Sequence, residues 1–289
     1  KDKVLIIDTE DAATAATIQK DANRAGVKVI DYDRLQSNGA VYVSFNNVTV
    51  GTLIGKGLLS CLSAWKVKNP LVYVMDGSAT DPNAAQFAKG YDAVLNAAGY
   101  AAAEGGKGNA KTINENAGTW DPPTALKDFQ GAYSANSKNN AVVTPNDENA
   151  APIISYLQGL GLKPKTIPFT GQDATLTGFQ NILSGYQCGT VYKPSWLEAQ
   201  AAAIAALYLD AGKTIPGSLL TGKTQLTGTK TMVPTVELSP TWVTTANIEQ
   251  TVIQDGVINR YALCTNIRPT VKGSHLASYA QDCKSYGVK

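Results

Sequence analysis

A chain of 289 residues that is 44% apolar and 17% charged carries too much apolar surface for disorder and too many residues for one small core. One large or two medium domains are expected. A net charge of +2, with no dense basic stripe, lacks the electrostatic footprint of a nucleic-acid surface. No apolar run reaches membrane-spanning length, and no cleavable signal is visible at the start.

In chain order, Lys3–Ile7 is a continuous apolar run ending at Asp8, as in a strand covered on both faces. Residues 9–25 carry a helical pattern of alanines and Ile18, closed by Gly26 as a helix C-cap. A strand at 27–30 runs into Asp31-Tyr32-Asp33-Arg34, and one at 41–45 into Asn46-Asn47. Val50, Leu53, Ile54, Leu58 and Leu62 then mark a helix to about Trp65. Residues 71–74 form a strand before Asp76-Gly77, followed by a loop with Asp81 and Asn83 and a helix at about 84–98. Residues 110–113 are a weaker strand leading to a loop with Trp120, and Pro122-Pro123 opens a helix.

The strand 141–143 ends before Asn146-Asp147, and a helix runs on to Gly161. The next stretch reads as strand, acid, helix, strand, base. Its parts are an apolar run at 166–170, Asp173, a short helix over Leu176–Leu183, an extended Thr190-Val191-Tyr192, and Lys193. An Ala-rich helix reaches Gly212, and residues 213–229 read as an exposed loop or irregular hairpin. Val233–Leu238 is a strand that Pro234 keeps near a sheet edge. Regular alternation of strands and helices implies α/β architecture, with parallel sheets flanked by helices.

Four cysteines without a C-x-x-C give little weight to zinc or dithiol redox chemistry. Cys264 and Cys283 bracket a polar tail, where a disulfide would contribute roughly 3 kcal/mol. Cys61 and Cys188 read equally as a second pair or as buried thiols. The pattern favours an oxidising, extracytoplasmic location.

No phosphate loop, dinucleotide fingerprint, H-E-x-x-H or nucleophile elbow occurs. The single histidine, His275, lies in the tail, so triad catalysis would rest on one poorly placed residue and is not expected. The oxygen-rich loops at 81–83 and 146–148 lack calcium-loop spacing and read first as Asx turns and helix caps. No metal or cofactor is expected, and the chain is not expected to be an enzyme.

What remains is a repeated placement. Asp33-Arg34, Asn46-Asn47, Asn83, Asn146-Asp147, Asp173 and Lys193 lie just beyond apolar strand runs, and Trp120 sits on a loop after one. Each taken singly reads first as a cap or turn residue. Together they offer carboxylates, amides, a guanidinium, an ammonium and an indole at the strand ends where α/β ligands bind. Neutral polyols need that mixture: acceptors and donors for hydroxyls, and an aromatic face for C–H bonds.

The runs Tyr32-Asp33-Arg34-Leu35, Tyr42-Val43-Ser44-Phe45-Asn46-Asn47-Val48, Asn146-Asp147, Gly171-Gln172-Asp173-Ala174 and Thr190-Val191-Tyr192-Lys193-Pro194 resemble the xylose-binding proteins of sugar ABC transporters. These are type I periplasmic binding proteins. Thr251–Gly256 resembles the family's closing segment. The resemblance implies two α/β lobes joined by three hinge crossings: residues 1–46 with 192–236, and 47–191 with 237–289.

It further implies a monosaccharide, a pentose such as xylose or a related aldose or polyol, captured between the lobes and delivered to a membrane permease. Asp33 and Arg34 would bind it from the N-terminal lobe, Asn83, Asn146 and Asp173 from the C-terminal lobe, and Lys193 from a crossing strand, with Trp120 near the site. Position 46 is Asn where the family often has Asp. The family's first strand–helix–strand–helix portion has no counterpart here, so the N-terminal lobe is expected to be incomplete, with a further segment or another chain filling the gap.

Two other readings stand beside this one. The core could be the effector domain of a LacI-type sugar-responsive regulator, which the cysteines disfavour. A carbohydrate-processing enzyme would use Asp33, Asp147 and Asp173 as acid and base.

Overall fold

The computed structural model describes residues 2–100, 110–113, 118–265 and 288. The chain forms two compact units: residues 1–47, 80–86 and 193–240, and residues 48–79, 87–192 and 241–289.

In the first unit the strands β1 (Val4–Ile7), β2 (Lys28–Tyr32), β3 (Val41–Phe45), β8 (Gly222–Gln225) and β9 (Met232–Leu238) form one sheet in the order β1-β2-β3-β9-β8. All neighbours run parallel except β8 against β9. Successive side chains alternate faces. Val29 and Ile7 pack with Ala22 and Ile18 of α1 (Ala12–Arg24), whereas Ile30, Val41, Val43 and Val236 pack with Ala201, Ala202 and Ala205 of α7 (Ser195–Asp210). Helices on both faces explain why these strands read as unbroken apolar runs. β1 is an edge, with Leu5 and Ile6 exposed. The stretch 213–229 supplies β8, the exposed opposite edge, so Pro234 lies one strand in.

In the second unit β4 (Val72–Met75) lies between β5 (Ala110–Ile113) and β6 (Ala141–Val143), all parallel. Val72, Val74 and Val143 face Val50, Ile54 and Leu58 of α2 (Asn47–Ala64) and Phe87, Tyr91 and Leu95 of α3 (Pro82–Ala97). Tyr73, Met75 and Val142 face Phe129 of α4 (Pro122–Ala135) and Ile153, Ile154 and Leu157 of α5 (Asp147–Gly159). The apolar run 166–170, expected as a strand, makes only isolated parallel bridges, Val142 with Phe169 and, just beyond it, Gln172 with Val191. Residues 164–167 are turn and bend, and Pro168 has no N–H to donate, which leaves too little regular backbone for a ladder.

α6 (Leu176–Leu183) packs Phe179, Ile182 and Leu183 on Val243, Ile248 and Val252. Two elements of this region have no signal in the sequence: β10 (Thr241–Val243), antiparallel to β7 (Thr190–Tyr192), and a π-helical turn at Glu249–Ile253.

Cys61 of α2 and Cys188 are joined by a disulfide across 127 residues of sequence. Cys283 lies outside the described residues, so the expected Cys264–Cys283 pair is not described. The chain-entropy model gives about 5 kcal/mol for a loop the length of the Cys61–Cys188 one. Replacing both Cys61 and Cys188 by Ala is therefore expected to lower the stability of the second unit by several kcal/mol. Chemical denaturation of the double variant checks this, and an unshifted midpoint would contradict it.

Candidate functional site

In the first unit the expected residues converge on the Asp33-Arg34 pair. β2 ends at Tyr32, and Asp33 turns the chain with φ of 58°, a left-handed conformation that Asp adopts more readily than most residues. Its carbonyl oxygen holds the turn by accepting hydrogen bonds from Tyr42 Oη (3.1 Å), Ser44 Oγ (2.8 Å) and Asn83 Nδ2 (3.2 Å). The turn presents Asp33 and Arg34 beyond the strand end.

Arg34 Nε reaches Asp81 Oδ2 at 2.9 Å, and Nη1 reaches Asp8 Oδ1 at 2.8 Å and Asp33 Oδ2 at 3.0 Å. Glu10 stands 4.0 Å away. Asp33 Oδ1 faces Lys193 Nζ at 3.6 Å, and Asp33 Oδ2 accepts from Asn83 Nδ2 at 3.2 Å. Asn83 Oδ1 in turn accepts from Asn47 Nδ2 at 2.8 Å. Burial opposes the charge on Arg34. The Asp33 and Asp81 carboxylates, with hydrogen bonds to Asp8 and Asp81, more than offset this and raise its pKa above the ordinary value, so it stays a cation.

The structure thus brings together Asp33, Arg34, Asn83 and Lys193. Asn83, which the resemblance assigns to the C-terminal lobe, groups with the first unit because its amide bonds Asp33 and Asn47. Asn46 Nδ2 donates to Glu237 Oε1 at 3.1 Å.

In the second unit, Asp173 (φ 86°) and Ala174 (φ 53°) are consecutive left-handed residues. The Asp173 backbone N–H donates to Val191 O at 3.0 Å, and its side chain is exposed beside Gln172, whose Nε2 is 3.3 Å from Asp173 Oδ2. Asn146 is the N-cap of α5, accepting from the Asn149 N–H. Trp120 packs over Gly77, where any Cβ would meet the indole, and edge-on to Phe87 at 6.4 Å between ring centroids. Two cavities of this unit, of about 320 and 430 Å³, contain none of these residues.

Three carboxyl groups have roles that sequence reasoning did not give them. Asp81 was legible only as a turn residue. It does bond the Asn83 N–H at 2.8 Å, but its other oxygen anchors Arg34. Glu198, in the first turn of α7, is 4% exposed, and its Oε1 has no hydrogen-bond partner among the described residues. Asp147 opens α5 and is fully buried. Burial raises its carboxyl pKa and hydrogen bonds from Thr175 and Gln187 lower it, and the hydroxyls of Thr175 and Thr190, each already accepting a backbone N–H, donate to it as to an ionised carboxylate. Periodicity gives no signal for burial of an acid at a helix start.

Chemically, the Arg34 cluster holds more carboxylates than cations. Asp8, Glu10, Asp33 and Asp81 surround one guanidinium and one ammonium. Such a site accepts hydrogen bonds from hydroxyl donors and repels anions. Among the described residues no group of His, Cys, Asp or Glu is arranged to hold a metal ion, and Arg34 fills the acidic cluster.

Residues 2–214 match a family described as a periplasmic binding protein domain. The chain is 35% identical over 257 residues to the D-xylose-binding periplasmic protein of Escherichia coli (strain K12), covering 88% of this chain and 73% of that one. It is 30% identical to the multiple sugar-binding periplasmic receptor ChvE of Rhizobium radiobacter, covering 88% and 74%. Among solved structures it superposes with a TM-score of 0.75 and 25% identity on a carbohydrate transporter solute binding protein from Chloroflexus aurantiacus in complex with D-glucose, over 90% of this chain and 81% of that one.

Glu198 gives this region a pH signature. Burial, with Asp33 beside it, pushes its carboxyl from 4.5 to about 8, against the pull of Lys193 and Tyr32. A carboxyl with a raised folded pKa binds more protons folded than unfolded, so its contribution is complete below pH 4.5 and is lost as pH rises through 8. Melting temperature followed from pH 4.5 to 9 should therefore fall more steeply in the wild type than in Glu198→Gln. Parallel curves would contradict the assignment.

Proposed function

The chain belongs to the periplasmic binding protein family, and on that premise we propose that it is an extracytoplasmic receptor for a neutral monosaccharide. The ligand class is a pentose such as xylose, or a related aldose or polyol, and the receptor hands it to the permease of an ABC transporter. Asp33, Arg34, Asn83 and Lys193 supply acceptors and donors for sugar hydroxyls from the first unit. Asp173 and Asn146 do so from the second, and Trp120 covers the apolar C–H face of the ring.

One observation carries this reading. Asp33 is held in a left-handed turn between Arg34, Lys193 and Asn83, inside a surplus of carboxylates. Backbone strain of this kind, roughly 1–3 kcal/mol per residue, persists where the surrounding structure enforces it, and it concentrates at functional sites. The same surplus favours a hydroxyl-rich neutral ligand over a phosphate or carboxylate.

The relatives support the class of ligand, since they are named for D-xylose and for multiple sugars. Such family members bind and release their cargo without transforming it. The Cys61–Cys188 disulfide supports an oxidising compartment and disfavours a cytoplasmic regulator. Among the described residues no helix is long and apolar enough to cross a membrane.

Calorimetric titration with neutral pentoses, hexoses and polyols, alongside a uronic acid, tests the proposal. At least one neutral sugar should bind and the uronic acid should not. Asp173→Ala should weaken the binding at least tenfold, about 1.4 kcal/mol or more, while costing only about 1–2 kcal/mol of stability, the cost of an Ala at positive φ, since the side chain itself is exposed. Unchanged affinity in that variant would remove Asp173 from the site.

A further inference from the structure

Asp173 and Ala174, the two consecutive left-handed residues, are held from both sides by one buried residue, Asp147. On one side the Asp147 backbone N–H donates to Gln172 O at 2.9 Å. On the other, the Asp147 carboxylate accepts from the Thr175 N–H at 2.8 Å and from Thr175 Oγ1 at 3.2 Å, both at Oδ2.

The same oxygen accepts from Thr190 Oγ1 at 3.1 Å, while Oδ1 accepts from Gln187 Nε2 at 2.7 Å. These bonds fix hydroxyl directions. Because Thr190 donates to Asp147, its lone pairs face the Ala174 N–H, which it accepts at 3.2 Å. Because Thr175 donates to Asp147, it accepts the Gly178 N–H at 3.0 Å and caps α6.

Space has been cleared for this carboxylate as well. A Cβ at Gly171 or at Gly178 would collide with its oxygens. That accounts for the glycine of the Gly171-Gln172-Asp173 run, since only a residue without a side chain leaves the acid room.

We propose that Asp147 is the positioning residue for Asp173: its carboxylate and backbone N–H build the left-handed turn that aims Asp173 at the sugar. The proposal rests on the reading that Asp173 contacts a monosaccharide. An amide cannot replace the acid. Whichever way the side chain of an Asp147→Asn variant were turned, its NH₂ would face either the Thr175 N–H or the Gln187 amide, which could offer its oxygen only by turning over and losing its bond to Gly189 O. The turn would then relax toward ordinary backbone conformations.

A double-mutant cycle of Asp147→Asn and Asp173→Asn, titrated calorimetrically with D-xylose and with D-glucose, tests it. Asp147→Asn is expected to weaken binding about tenfold in the wild-type background and less than twofold in the Asp173→Asn background. Hydrogen exchange at the Asp173 and Ala174 amides should accelerate in Asp147→Asn before the sheet amides do. Should Asp147→Asn fail to fold, Thr190→Val, which removes the hydroxyl linking Asp147 to Ala174, should show the same dependence on Asp173.

Equal losses in both backgrounds, or no loss from Asp147→Asn, would overturn the positioning role alone. Binding of neither sugar, or unchanged affinity in Asp173→Asn, would overturn the reading of Asp173 and the positioning role with it.

Discussion

A guanidinium largely shielded from water must be balanced where it stands, and in the first unit that requirement falls on Arg34. Its side chain is 17% exposed, and Asp8, Asp81 and Asp33 lie within 3.0 Å of it. Those partners come from the end of β1, the segment before α3 and the turn after β2, so satisfying one charge fixes three pieces of chain. The arrangement also leaves more carboxylate acceptors than the two cations can occupy. Each ionised carboxylate has about four lone-pair sites, an excess that suits the proposed ligand, with many hydroxyl donors and no charge.

The second unit meets a similar demand with a buried acid instead of a base. Asp147 is enclosed by donors from the segment before α6 and from the stretch leading into β7. The two units thus reach a common result by different means. In each, an Asp just past an apolar run is forced to positive φ and held there by hydrogen bonds to its own turn. Asp33 is held through its carbonyl, and Asp173 through its neighbours. In both turns it is the backbone that is fixed, so each Asp side chain is presented from a rigid base.

Much of this was legible in the sequence. The runs before Asp31 and Asn46 read as buried strands because helices cover both sheet faces, whereas the run before Asp8, read the same way, is an edge strand with Leu5 and Ile6 exposed; the polar residues after all three lie at one end of the parallel strands. The disulfide was half legible: Cys61 and Cys188 were candidates, but only the fold puts α2 beside the segment before β7. Four features were hidden, wholly or in part, for physical reasons. Asp81 and Asp147 look like helix-start residues because they are helix-start residues, and their second roles depend on partners far away in sequence. Glu198 sits in an Ala-rich helix whose burial depends on which face meets the sheet. β10 has only three residues, too few for periodicity to register.

The central claim is that a neutral sugar is held by carboxylate acceptors organised around Arg34 and Asp173. A crystal structure of the protein grown with D-xylose would test it most directly. The account expects ring hydroxyls within hydrogen-bond distance of Asp33, Arg34, Asn83, Lys193 and Asp173, with a C–H face of the sugar against Trp120. A sugar bound elsewhere, or one whose hydroxyls bypass Asp33 and Asp173, would contradict it.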